Sequence, residues 1–232
     1  MGLRRVFWLA VTVSLTAGLS AQSSNSAPSS NAPSSSSADK KHSKVALDSD
    51  IDAGVVADGV YRNRALGMTW KIPAGWVLRT EEMNGRGEDQ SSPQRTQRGT
   101  EADSGGRVLL AAFSRPPEAR GEDVNASMVI AAERTAAYPG LTEAVQYLGP
   151  LEEVAKAQGF AVDEEPYEID VGSKTLVRED FHKDVGTRVM HQATMAILSH
   201  GYAVSITVIG GTEDEVEELV DGMEFAGKAA GK

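Results

Sequence analysis

The stretch "GVYRNRALGMTWKIPAGW", Gly59–Trp76, decides how the chain is read. Val60 and Tyr61 open a strand, "NRALG" has the composition of a turn, and Met68 to Ile72 alternate before "PAG" turns the chain into Trp76, Val77 and Leu78. Short alternating runs separated by glycine-bearing turns predict a β-hairpin. Pro73 has no amide hydrogen to give a ladder and Gly75 is free to take a positive φ, so the pair predicts a strand end followed by a tight turn. Tyr61, Trp70, Ile72 and Trp76 then read as core and turn positions of a first hairpin, with an exposed aromatic ligand platform the alternative.

Upstream, "MGLRRVFWLAVTVSLTAGLSAQ" sets Arg4 and Arg5 before an apolar run from Val6 to Leu19 that ends in small residues at Ala21. This order predicts a secretory signal peptide over residues 1–21. The run is interrupted by Thr12, Ser14, Thr16 and Gly18 and falls short of the roughly 20 residues that span a bilayer, so no stable membrane insertion is expected after cleavage. Residues 22–57 begin "QSSNSAPSSNAPSSSSA" and read as a serine-rich flexible tether, with nothing bulky and apolar to offset the entropy of ordering. The expected location is extracytoplasmic, periplasmic or secreted.

Cysteine is absent, which excludes a lipid-modified cysteine, disulfides and thiolate chemistry. The formal charge of −10, made more negative by loss of Arg4 and Arg5, argues against nucleic acid and anionic lipid surfaces, since both need a basic face.

Downstream, Met83 to Gly106 is polar, glycine-rich and aperiodic, and reads as a long surface loop. "RVLLAAFSRP", Arg107–Pro116, is apolar on both faces and predicts a central strand, and "NASMVIAAERT" predicts another, with helix the alternative. Apolar residues recur at helical spacing from Leu141 to Ala155, with a break or kink expected at Gly149 and Pro150. Four strand candidates follow, separated by Gly172, Gly186 and Gly201, in an antiparallel meander. In the last, Tyr202, Val204, Ile206 and Val208 alternate with Ala203, Ser205 and Thr207. "GTEDEVEELVDGMEFAG" closes with a helix whose Thr212 and Glu215 have capping-box spacing.

The elements make the fold class α+β, and a family resemblance carried by them implies an antiparallel sheet flanked by helices in one domain over residues 58–227, with 228–232 as a tail. The hairpin stretch, the central strand, the mid-chain helix, the meander and the terminal "VEELVDGMEF" together resemble the PsbP-like and DcrB-like superfamily. The resemblance implies an α/β/α sandwich in an exported accessory or binding module whose partner is a protein or small ligand. It transfers no catalytic site, and the calcium and chloride role of the photosynthetic member has no matching residues here.

Several motifs fail on inspection. "DSDIDAG", Asp48–Gly54, imitates a calcium loop, but its glycine falls one residue late and Gly59 occupies the twelfth position. "ADSGG" around Ser104 resembles a protease nucleophile segment, yet His42 in the tether is the only histidine ahead of it. "GRGEDQ" lacks the last glycine of a dinucleotide fingerprint. No cofactor is predicted.

One polar constellation stands out. With Val185 and Gly186 at the centre of a hairpin turn, Asp180 faces His191 across the strands and His182 shares their face. A histidine oriented by a carboxylate can act as base or metal ligand. The leading expectation is a non-catalytic binding module; the alternative is a metal-dependent protein or hydrolase built on these residues.

Overall fold

The computed structural model describes residues 51–89, 106–119, 121 and 123–226. The signal segment, most of the tether with His42, Asp48 and Asp50, most of the Met83–Gly106 stretch with Ser104, and the tail lie outside the described residues. The strands are β1 Val55–Ala57, β2 Val60–Asn63, β3 Met68–Lys71, β4 Val77–Leu78, β5 Arg107–Phe113, β6 Ser127–Arg134, β7 Ala161–Val162, β8 Tyr167–Val171, β9 Lys174–Val185, β10 Arg188–Ser199, β11 Tyr202–Gly210 and β12 Met223–Phe225. The helices are α1 Thr80–Asp89, α2 Ala144–Ala157 and α3 Glu213–Asp221.

Two-residue turns set the registers. Asp58 and Gly59 join β1 to β2 with φ of 52° and 69°, and His200 and Gly201 join β10 to β11 with φ of 52° and 79°. Positive φ at both central positions is the type I′ geometry, whose twist matches that of paired strands. The quoted stretch folds as read: β2 pairs β3 antiparallel, with Tyr61 opposite Trp70. Both rings are buried, and Ile72 and Trp76 pack against the same core.

All pairings are antiparallel, in two sheets. The smaller has the order β1-β2-β3-β12; the larger runs β4-β5-β6-β11-β10-β9-β7, with β8 also on β9. Consecutive hairpins link β8, β9, β10 and β11 as the expected meander. The α+β class holds, with one refinement of the sandwich. One face of the large sheet carries α1 and α2; the other packs Leu110, Ile130, Met195 and Ile206 against both α3 and the small sheet.

Three expectations change. Thr80–Asp89 is a helix, so the Met83–Asp89 part of the expected loop is α1, anchored by Asn84, whose side chain donates to Val108 O at 3.0 Å and accepts from Val108 N at 2.9 Å. Helix α2 runs unbroken through Pro150, because packing of Tyr147, Leu148 and Ala155 on the sheet outweighs one lost hydrogen bond. The fold also starts ahead of residue 58: Ile51 is buried and donates its amide to Tyr202 Oη at 3.2 Å, and Asn63 Nδ2 donates to Asp52 O at 2.7 Å.

Helix α3 is capped as its spacing predicts, with Glu215 N donating to Thr212 Oγ1 at 3.1 Å, while the Glu215 carboxylate accepts from Gly211 N at 2.7 Å. Trp70 Nε1 donates to Leu219 O at 2.7 Å and ties α3 to β3.

Candidate functional site

The long β9–β10 hairpin carries the residues singled out from the sequence. Val185 pairs with Arg188, so Gly186 and Thr187 form the turn centre, with φ of 66° at Gly186. Positive φ at the first central position is what a type II′ turn requires, and it shifts the register from that expected. His191 therefore stands opposite His182, and Asp180 opposite Ala193.

The three side chains share a face but turn to separate partners. Asp180 Oδ1 accepts from Arg178 Nε at 3.0 Å and Nη2 at 2.9 Å, and its Oδ2 accepts from the Tyr167 hydroxyl at 2.6 Å. His182 Nδ1 meets the Asp163 carboxylate, and His191 Nδ1 lies 3.8 Å from Glu213 Oε1 on α3. Among the described residues no three histidine or acidic side chains converge to hold a metal. His200 sits in the β10–β11 turn with its Nδ1 2.8 Å from Ser199 Oγ. Arg178, nearly buried, also reaches Glu217, so this network clamps α3 to β9.

The opposite face of the sheet holds a cavity of about 110 Å³ beneath α2. Its floor comes from three adjacent strands whose side chains alternate in and out: Ser127 and Ala131 on β6, Ser205 and Thr207 on β11, Gln192 and Thr194 on β10. The register aligns them in rows, Thr194 opposite Thr207 and Thr207 opposite Val129, then Ser205 opposite Ala131. The wall is apolar, made by Pro150, Leu151, Val154 and Ala155 of α2. A hydroxyl and amide floor under an apolar wall is the composition of a small-molecule site, in which a few polar groups orient a ligand held by apolar contact.

Glu133, Tyr138 and Tyr147 close one end. The Tyr138 hydroxyl donates to Glu133 Oε2, and the Tyr147 hydroxyl is directed toward Glu133 and Ser205. The two rings meet edge to face with centroids 5.4 Å apart and planes at 78°. Burial penalises the ionised carboxylate and pushes the Glu133 pKa up to about 7, against the lowering effect of the Tyr147 hydrogen bond. Burial, then the neighbouring Glu133 charge, raises the Tyr147 phenol well above its ordinary value, so it remains a donor. No lysine, arginine or histidine is among the described residues lining the cavity.

A second carboxylate lies under α2 on β9. Glu179, 2% exposed, stands opposite Thr194, and its Oε2 has no hydrogen-bond partner. Desolvation, then the charge of Glu152, raises its pKa to about 7, with Lys156 acting the other way.

Sequence reasoning chose the hairpin's charged face and missed the cavity. One signal was present: Ser205 and Thr207 alternate with the apolar residues of β11, marking a hydroxyl-bearing second face. Glu133 carried none, because its burial depends on Tyr147 arriving from α2.

Neither the protein-family models nor the curated proteins give a match to this chain. Among solved structures it is similar to cyanobacterial PsbP from Synechocystis, at 14% identity and a TM-score of 0.42, over 78% of this chain and 99% of that one. It is also similar to LpqN of Mycobacterium tuberculosis, involved in cell envelope biogenesis, at 12% identity and a TM-score of 0.32, over 67% and 76% of the two chains. A Pseudomonas aeruginosa protein of unknown function matches at 17% identity and a TM-score of 0.32, over 55% of this chain and 78% of that one.

Proposed function

We propose that the chain is an exported, non-catalytic module that binds a small ligand in the cavity between α2 and the large sheet. The observation that carries this reading is the cavity itself, a polar floor under an apolar wall assembled from β6, β10, β11 and α2. Export is supported by Arg4 and Arg5 ahead of the apolar run ending at Ala21. Membership of the PsbP-like grouping belongs to the same proposal. Asp180, His182 and His191 turn to different neighbours, so the cavity and not the hairpin carries this reading.

A thermal-shift screen of the purified chain against small metabolites tests the binding reading. A ligand present at 100 times its dissociation constant stabilises the native state by about 2.7 kcal/mol. The expected result is a shift that disappears in Ala131→Leu, which fills the floor. A shift that persists in this variant places binding elsewhere and overturns the reading.

A further inference from the structure

The chemistry of the cavity points to a ligand class, which rests on the reading of that cavity as a ligand site. Glu133 is the single acidic residue among the described lining residues, and no basic residue accompanies it. The groups at its carboxylate are two phenols, Tyr138, which donates to it, and Tyr147 beside it, both uncharged. A carboxylate has about four lone-pair sites, so two phenols leave acceptor capacity unused. Among the described residues the strands beside it bring no cation to that position: Gly106 extends β5 past Arg107, the partner of Ala132, to the place beside it, and Ala203 stands opposite on β11. Arg178, the most buried guanidinium of the described residues, shows the other solution, with carboxylates of Asp180 and Glu217 as partners.

A desolvated carboxylate beside two aromatic rings, with no basic residue lining its cavity, selects for positive charge. Aromatic rings attract ammonium groups through their negative faces, most strongly where water is excluded. An anionic ligand would meet a carboxylate and no cationic donor, a repulsive arrangement in a low dielectric. The acidic protein as a whole draws cations toward its surface.

We propose that the cavity binds a small organic cation, a primary or methylated ammonium on a short skeleton, with the charged group against Glu133 beside the Tyr138 and Tyr147 pair and the skeleton along Leu151 and Val154. Binding holds Glu133 ionised, so the free protein must release a proton where its carboxyl is still protonated.

Titration calorimetry of the full chain with choline, with butylammonium, and with dimethylbutanol, the uncharged carbon isostere of choline, tests this. The expected result is binding of at least one cation, at least about 10-fold tighter than dimethylbutanol, which is about 1.4 kcal/mol. Choline keeps its charge at every pH, so its affinity reports the protein. It should weaken about 10-fold between pH 8 and pH 6, across the Glu133 pKa of about 7. Glu133→Gln should remove cation binding and its pH dependence while the variant's far-UV spectrum and cooperative melt are retained.

Equal binding of choline and its isostere, or undiminished cation binding by a folded Glu133→Gln, overturns the ligand class and leaves the cavity as a binding site. Binding of neither cation also overturns it. The binding-module reading falls separately, when no compound in the metabolite screen gives a shift sensitive to Ala131→Leu.

Discussion

Glu179 places a carboxylate where water does not reach, with one oxygen unpartnered, and this fixes a pH signature. Folding raises its pKa from 4.5 to about 7, so the native state holds the proton more tightly than the unfolded chain. Its contribution to stability is complete below pH 4.5 and is lost as pH climbs through 7. Glu179→Gln should therefore raise stability at pH 8 by about 1–3 kcal/mol, because the amide carries no charge to desolvate, and change it little at pH 4. Urea unfolding at the two pH values measures this, and an equal gain at both would show that charge is not the cause. Trp70 illustrates the reverse case, a buried polar atom with its partner present. Trp70→Phe leaves Leu219 O without its indole donor and should cost about 1–3 kcal/mol at any pH, read from the same urea midpoints.

Among the elements, α2 tolerates a proline that local rules place at a break. Pro150 denies Gln146 O its helical partner, so Pro150→Ala should stabilise the chain by about 1–3 kcal/mol, provided the cavity wall keeps its shape. A lower melting temperature would mean that the pyrrolidine ring contributes more through packing than it costs in the helix. Helix α3 is held by the Arg178 clamp, and Arg178→Ala, which leaves Asp180 with only the Tyr167 hydroxyl and Glu217 to solvent, should cost about 1–3 kcal/mol in denaturant unfolding. A loss below about 1 kcal/mol would show that the buried stripe of Val216, Leu219 and Val220 suffices. The elements themselves were largely legible in the sequence. Glycine-bearing turns at 172, 186 and 201 and the alternation of β11 located the meander, and Thr212 located the start of α3. Two failures have a common cause. Pro150 and the polar, glycine-bearing "TEEMNGRGED" of α1 both argue against helix locally, and sheet contacts decide the outcome in each. The β9–β10 register failed for a narrower reason, since Gly186 supplies its positive φ at the first central position of the turn.

At the scale of the molecule, the segment before residue 58 belongs to the fold. A chain starting at residue 51 keeps this segment. One starting at residue 58 loses buried Ile51 and the carbonyls that Tyr61 and Asn63 bond, and should be less stable by about 3 kcal/mol or more. Equal melting of the two would make β1 dispensable. The cavity was the least legible feature, because it exists only where β6, β10, β11 and α2 are assembled in register, and no contiguous motif encodes that meeting. The small sheet has a different kind of consequence. Its last strand, β12, lies against β3, with Met68 opposite Phe225 and Met223 opposite Trp70, and Phe225 O also accepts from Ser173 N at 3.0 Å. Almost the whole domain is thus synthesised before its first hairpin can find its neighbour, and closing so long a loop carries an entropic cost that slows the final step. During translation the nascent chain therefore stays short of its completed small sheet until Phe225 leaves the ribosome, so the first hairpin waits, half-covered, for the last strand to be made.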